Sequence, residues 1–114
     1  MIDFGKKSPL GLRKKSDSEI FSLLDEKIRA EEYFFTEHAK SQCKKRDLLE
    51  FEVLDILEGK IGSKRKRNAL KDLYEKERED WNYCIEGINP DNRKIRIIFT
   101  FFEENIPIIT VISL

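Results

Sequence analysis

At Trp81 the spacing of apolar residues changes from helical to alternating, and that change limits the folds open to this chain. Before it, Ile20, Leu23, Leu24 and Ile28 recur at helical spacing behind Ser16-Asp17-Ser18-Glu19, a capping-box pattern, and predict a helix from Asp17 to Glu31. Tyr33-Phe34-Phe35 reads as a short strand or extended link, after which Thr36 is suited to cap a second helix. Leu49, Val53, Ile56 and Leu57 mark a third helix that stops near Gly59, with Asp47 available to end the second or cap the third. Leu70, Leu73 and Tyr74 support a short helix across residues 69–79, and the stretch from Lys60 to Arg67 reads as a loop. After the change, Trp81, Tyr83 and Ile85 alternate with Asn82, Cys84 and Glu86, and Asn89-Pro90-Asp91-Asn92 supplies a turn. Ile95, Ile97, Phe99 and Phe101 then alternate with Lys94, Arg96, Ile98 and Thr100. The closing run from Ile106 to Leu114 is apolar on both faces and belongs inside a sheet rather than at its edge. The expected fold class is α+β, with N-terminal helices packed on one face of a C-terminal antiparallel sheet.

A chain of 114 residues suits one domain, expected over residues 16–114, behind a flexible basic arm at residues 1–15 that carries Lys6, Lys7, Arg13, Lys14 and Lys15. Net charge is +0, from 22 basic and 22 acidic residues, so any nucleic-acid surface must come from charge segregation rather than from the total. No apolar run approaches the roughly 20 residues of a membrane span, and no membrane association is expected. Cys43 and Cys84, in a chain without a signal-peptide pattern, point to reduced thiols in a cytoplasm. One histidine and two cysteines at unrelated spacing make no zinc signature; neither a metal nor another cofactor is expected.

Candidate chemistry centres on Thr36–Arg46, which holds the single histidine and ends in Lys44-Lys45-Arg46. His38 falls in the first turn of the second helix, where free backbone N–H groups favour anions and disfavour an imidazolium. Lys45 and Arg46 follow along the same helix, Arg46 about 12 Å further on. The run Lys64-Arg65-Lys66-Arg67 is either solvated charge or phosphate contact. Lys94, Arg96 and Thr100 share one face of the hairpin, where Arg96 either meets phosphate or pairs with Glu86 across the strands. Tyr83 is a core aromatic or a base-stacking one, and Thr110 sits on the last strand.

The order of these motifs carries a resemblance. Phe35-Thr36-Glu37-His38-Ala39, then Arg46, Val53 and Leu57-Glu58-Gly59, then Trp81-Asn82-Tyr83-Cys84-Ile85-Glu86-Gly87, Asn92-Arg93-Lys94-Ile95-Arg96 and Ile108-Ile109-Thr110-Val111 resemble a bacterial domain-of-unknown-function family. Its members have a Thr-x-His-Ala helix start, an Arg closing that helix, a Gly-Arg hairpin and a terminal Ile-Thr-Val strand. The resemblance implies a small toxin-like protein, encoded beside a YgiT-type zinc-finger antitoxin, with a fold similar to the RelE, HigB and MqsR ribonuclease toxins. His38, Arg46, Arg93 and Thr110 occupy its signature positions, with Tyr83 on the strand that carries its aromatic position. Asn92 and Asp47 stand where the family has Gly, and Leu49 where it has a hydroxyl cap, which leaves Asp47 to cap the third helix.

The implied function is the toxin of a type II toxin–antitoxin pair, a metal-independent endoribonuclease in which the ribose 2′-hydroxyl attacks the adjacent phosphate. His38 is then general base or acid, Arg46 and Arg96 meet the phosphate charge, and Tyr83 and Thr110 orient the substrate. Lys45, Lys64, Arg65, Lys66, Arg67, Arg93 and Lys94 contact RNA, free or on the ribosome. The expected protein partner is a cognate antitoxin, of the YgiT zinc-finger and helix-turn-helix type. The alternative is a non-catalytic protein-interaction or immunity module.

Overall fold

Ser16 opens the first helix through a closed capping box: its Oγ accepts from the Glu19 N–H at 3.2 Å, and the Glu19 carboxylate accepts from the Ser16 N–H at 2.9 Å. In the computed structural model, which describes residues 13–114, α1 then runs Asp17–Arg29 and buries Ile20, Leu24 and Ile28. Residues 1–12, most of the expected arm, lie outside the described residues. Its last residues are fastened: Arg13 pairs with Glu19, Lys14 with Asp72, and the Lys15 N–H donates to the Tyr83 hydroxyl at 3.0 Å.

The strand β1 (Tyr33–Phe35) leads into α2 (Glu37–Lys45), capped as expected by Thr36, whose Oγ1 accepts from the Ala39 N–H at 3.1 Å. Ala39 and Cys43 are its narrow buried stripe. Arg46 closes α2, and Asp47 takes a left-handed φ of 55°, which reverses the chain. Asp47 is therefore spent ending α2 and does not cap α3 (Glu50–Glu58). At that N-terminus Glu52 reaches back to accept from the Leu49 N–H at 3.0 Å, and Gly59, at φ 70°, ends the helix.

Two stretches depart from the sequence reading. Within the expected loop, Lys66–Arg67 form β2 and pair with Glu86 and Ile85. The helix expected over residues 69–79 is instead a 3-10 turn at Ala69–Lys71 followed by β3 (Leu73–Glu75). Leu70 and Leu73 are exposed, so a helix there has no apolar stripe to bury, while the open edge of the following strand takes up the backbone hydrogen bonds and Tyr74 packs edge-on against Trp81.

The strands β4 (Asp80–Ile88), β5 (Lys94–Phe99) and β6 (Ile106–Ser113) form the expected meander. The sheet order is β1-β6-β5-β4-β2, with β3 also paired to β4, and β6 lies inside the sheet as its two apolar faces require. The sheet is mixed rather than antiparallel, because β1 pairs with β6 in parallel. All three helices bury their stripes against one face, in a core with Tyr83, Ile85, Ile95, Ile97, Phe99, Ile108 and Val111. The architecture is α+β, and no helix among the described residues is long and apolar enough to cross a membrane.

Gly87 marks where α3 seats on the sheet. A Cβ there would stand 2.6 Å from Ile56 Cγ2 and 2.7 Å from the Ser63 carbonyl oxygen, and that backbone atom cannot rotate away. Gly87→Ala is expected to lower stability by about 1–3 kcal/mol in urea unfolding; an unchanged midpoint would contradict this seating of α3.

Candidate nucleic-acid interface

The face of the sheet away from the helices is built by strand register. Cross-strand partners share a face, so the row Lys66, Glu86, Arg96, Ile112 crosses four strands on that side. Cys84, Ile98 and Thr110 form the next row, and Ile88 with Lys94 another. Lys64, Lys66 and Lys94 converge around Glu86, Gly87 and Ile88 on a shallow pocket of about 250 Å³. Arg96 is not a free cation: its Nε donates to Glu86 Oε2 at 2.8 Å, so the ion pair across the hairpin is formed. The same carboxylate oxygen accepts from Asn68 Nδ2 at 2.9 Å. Burial raises the Glu86 pKa, but the bonds from Asn68 and Arg96 outweigh it and hold the carboxyl below its ordinary value. With Nε fixed, the terminal nitrogens of Arg96 remain as donors toward the open face.

The basic run is divided by the two-residue period of β2. Lys64 and Lys66 are exposed, whereas Arg65 and Arg67 turn to the other side. Arg65 stacks 4.1 Å over the Phe21 ring and donates to the Leu57 carbonyl at 2.8 Å, and it pairs with Asp25 at 3.5 Å. Arg67 is clamped by Asp72 through both terminal nitrogens, by Asp17 at 3.0 Å and by the Cys84 carbonyl at 2.6 Å. The assignment of Arg65 and Arg67 to RNA is therefore corrected: both spend their donors holding β2 to the helices and β4.

Arg93 is likewise committed. It donates to the Arg46 carbonyl at 2.7 Å and the Asp47 carbonyl at 3.4 Å, satisfying backbone acceptors at the end of α2. Its signature position is thus explained by a clasp between the hairpin turn and that helix. Tyr83 is 1% exposed and packs against Phe99 and Phe101, with the Arg67 guanidinium over its ring. Burial pushes its hydroxyl pKa up, and that hydroxyl already accepts from Lys15. A substrate-orienting role for Tyr83 is corrected accordingly, since it belongs to the core face and offers no surface to a base.

His38 and Lys45 are exposed on α2. The Thr36 hydroxyl donates to the Ile109 carbonyl at 3.3 Å, and Gln42 Oε1 accepts from the Val111 N–H at 2.7 Å, so α2 lies along the edge of β6 where β1 stops. On a helix turning about 100° per residue, His38 and Lys45 come next after Gln42 on the side away from buried Ala39 and Cys43. They therefore stand on the side of α2 where the edge of β6 meets the open face. Arg46 lies between Gln42 and the core stripe, half-buried, with its carbonyl taken by Arg93.

The open face thus gathers Lys64, Lys66, Lys94, Arg96 and Thr110, with His38 and Lys45 on its rim. Glu86 enters as the partner of Arg96 that the hairpin offered, whereas Asn68 was not among the expected residues, and it is the pairing of β2 with β4 that brings it to Glu86. Cys43 and Cys84 are buried free thiols, Cys84 with a pKa pushed up to about 11 by burial. Neither is suited to nucleophilic work. Among the described residues no group of three or more His, Cys, Asp or Glu is placed to hold a metal ion.

The family model described as "Domain of unknown function (DUF4258)" matches residues 35–113, from the last residue of β1 to the end of β6. No curated protein and no solved structure matches the chain.

Proposed function

The chain belongs to the DUF4258 family, and on that footing we propose that it is an RNA-cleaving toxin of a toxin–antitoxin pair, with the open sheet face as its RNA-binding surface. The observation that carries this reading is charge segregation: a chain of net charge +0 collects Lys64, Lys66, Lys94 and Arg96 around Glu86 on the sheet face away from α1, α2 and α3. Phosphate contact is the use such a surface suits best. The face spans three strand spacings, about 14 Å, from the lysine pocket to the rim that carries His38.

In the proposed reaction a phosphate lies over Arg96, whose terminal nitrogens meet the charge that builds on the equatorial oxygens. His38 takes the proton of the 2′-hydroxyl as its oxygen attacks phosphorus. The bond from phosphorus to the 5′-oxygen breaks, that oxygen takes a proton from solvent water while the His38 imidazolium returns its proton to solvent, and the products carry a 2′,3′-cyclic phosphate and a 5′-hydroxyl. Thr110 hydrogen-bonds the ribose or phosphate beside His38, and Lys45 extends the positive rim. The partner in this reading is a cognate antitoxin of the YgiT type, and the setting is the cytoplasm.

Salt dependence tests the binding surface. With about three phosphates neutralised, the logarithm of the affinity for single-stranded RNA should fall with the logarithm of salt concentration with a slope near −2, about 0.7 per contact. Lys66→Ala should reduce that slope by about 0.7 and leave the unfolding midpoint unchanged. A slope indifferent to Lys64→Ala, Lys66→Ala and Lys94→Ala removes this face from RNA binding.

A further inference from the structure

The lysine pocket has a floor as well as a rim. Ile88, half-buried, faces the same side as its cross-strand partner Lys94. Its N–H donates to the Ser63 carbonyl at 2.7 Å, which lays the segment entering β2 along the other flank of β4. Cations therefore stand on both sides of one strand, Lys64 and Lys66 on one and Lys94 and Arg96 on the other, two strand spacings or about 10 Å apart. Lys64, Lys66 and Lys94 are exposed, and no ion pair to them is found among the described residues.

Between these two columns β4 presents Ile88 and Glu86. Glu86 is 4% exposed and its Oε2 is taken by Arg96 and Asn68, so the part of the floor open to a ligand is the aliphatic side chain of Ile88, with the lysine stems beside it. An apolar floor inside a cationic frame matches a ligand that is apolar and flat in the middle and anionic at both ends. At about 250 Å³ the opening is smaller than the cavities that enclose a drug-sized molecule, and it suits one ring rather than a long chain. One residue of a nucleic-acid strand has this form, because each base is flanked by two phosphates.

We propose that the pocket seats one unstacked nucleotide of RNA: its base lies flat on Ile88, and the phosphates before and after it meet Lys64 with Lys66 and Lys94 with Arg96. The proposal rests on the RNA reading above and adds the form of RNA that is bound. In a duplex both faces of a base are covered by stacked neighbours, so only a single strand can fill the seat. No fixed donor or acceptor faces the edge of the base, and the seat is indifferent to which base it holds. Binding, not cleavage, is the readout, so the seat is tested apart from the chemistry.

The probes are a uridine pentanucleotide, an adenosine pentanucleotide, a pentamer of the same sugar–phosphate backbone without bases, and a short RNA duplex, measured by fluorescence competition. The two base-bearing single strands should bind about five-fold or more tightly than the abasic one, the worth of laying one ring on an aliphatic side chain. Ile88→Ser should remove most of that difference and Ile88→Trp should enlarge it by about ten-fold, alike for uridine and adenosine. Neither variant should change the salt slope, or the binding of the abasic strand and the duplex. Ile88 is half-buried and its bond to Ser63 is made by backbone, so both variants should fold. An abasic strand that binds as tightly as the uridine strand, or a difference that Ile88→Ser and Ile88→Trp both leave in place, overturns the seat and leaves the lysine face as a phosphate contact. A duplex weakened by Ile88→Ser as much as the single strands are overturns it in the same way. An aspartate peptide with a central phenylalanine that competes as strongly as the uridine strand assigns the pocket to an acidic protein segment and overturns the nucleotide. No binding by any oligonucleotide overturns the seat and the RNA reading together.

Discussion

Asp72→Ala is expected to lower the stability of the fold by about 3–5 kcal/mol, because it leaves a buried guanidinium without its main counter-ion. The Asp72 and Arg67 side chains are 0% and 5% exposed and meet at 2.5 Å. Asp72 also accepts from the Cys84 N–H at 2.8 Å and pairs with Lys14 at 2.8 Å, so one carboxylate ties β2, β4 and the segment entering α1 together. In the variant Arg67 retains Asp17, which is largely solvated, and the Cys84 N–H loses its acceptor. Urea unfolding measures the loss. A drop below about 1 kcal/mol would contradict the clamp, as would a double variant, Arg67→Met with Asp72→Leu, no more stable than Asp72→Ala, since an apolar pair of similar volume should recover part of the loss.

The same carboxylate gives the fold a sign in acid. Burial raises the Asp72 pKa, but the bonds from Arg67, Lys14 and the Cys84 N–H outweigh it, and the net folded value is lowered. A lowered folded pKa stabilises above the unfolded value and loses that contribution as pH falls through the folded one. Wild-type stability should therefore decline below the ordinary aspartate range, and Asp72→Ala should flatten that decline.

The other large effect belongs to His38. His38→Ala is expected to cut RNA cleavage by about 10²–10⁴-fold, the usual contribution of one proton-transferring side chain, and to relieve growth arrest on expression. The imidazole is exposed, and among the described residues no hydrogen bond to it is found, so the urea midpoint should move by no more than about 0.5 kcal/mol. Stability and activity are thereby separable. Equal toxicity of a folded His38→Ala protein takes His38 out of the mechanism, and RNA binding by the variant should remain at the wild-type level.

The helices and the hairpin were legible in the sequence because their signals are local. Ser16 with Glu19, Thr36 with Ala39, and Gly59 each act within one helical turn, and the alternation through β5 needs no knowledge of its neighbours. β3 was hidden because its stability comes from the edge of β4, a partner outside the segment; Leu70, Leu73 and Tyr74 at helical spacing misled for that reason. The parallel pairing of β1 to β6 joins residues more than seventy positions apart, which no local pattern encodes.

The site was legible in residue type and partly in place. The row of Lys94 and Arg96 follows from alternation, and the Arg96–Glu86 pair was an open alternative that the register realises. The fates of Arg65 and Arg67 were not readable, because a run of four cations looks uniform until β2 pairs and sends alternate side chains to opposite sides. Arg93 and Tyr83 stood out as motif positions and serve the fold, one as a clasp on the end of α2 and the other as core.

Incubation of the purified chain with a 5′-labelled single-stranded RNA, followed by identification of the new ends, bears on the proposed activity more directly than any variant. Cleavage through the 2′-hydroxyl gives a 2′,3′-cyclic phosphate on one fragment and a 5′-hydroxyl on the other, with the yield lost in His38→Ala and reduced in Lys66→Ala. RNA that stays intact while bound, or fragments ending in a 5′-phosphate and 3′-hydroxyl, would contradict it.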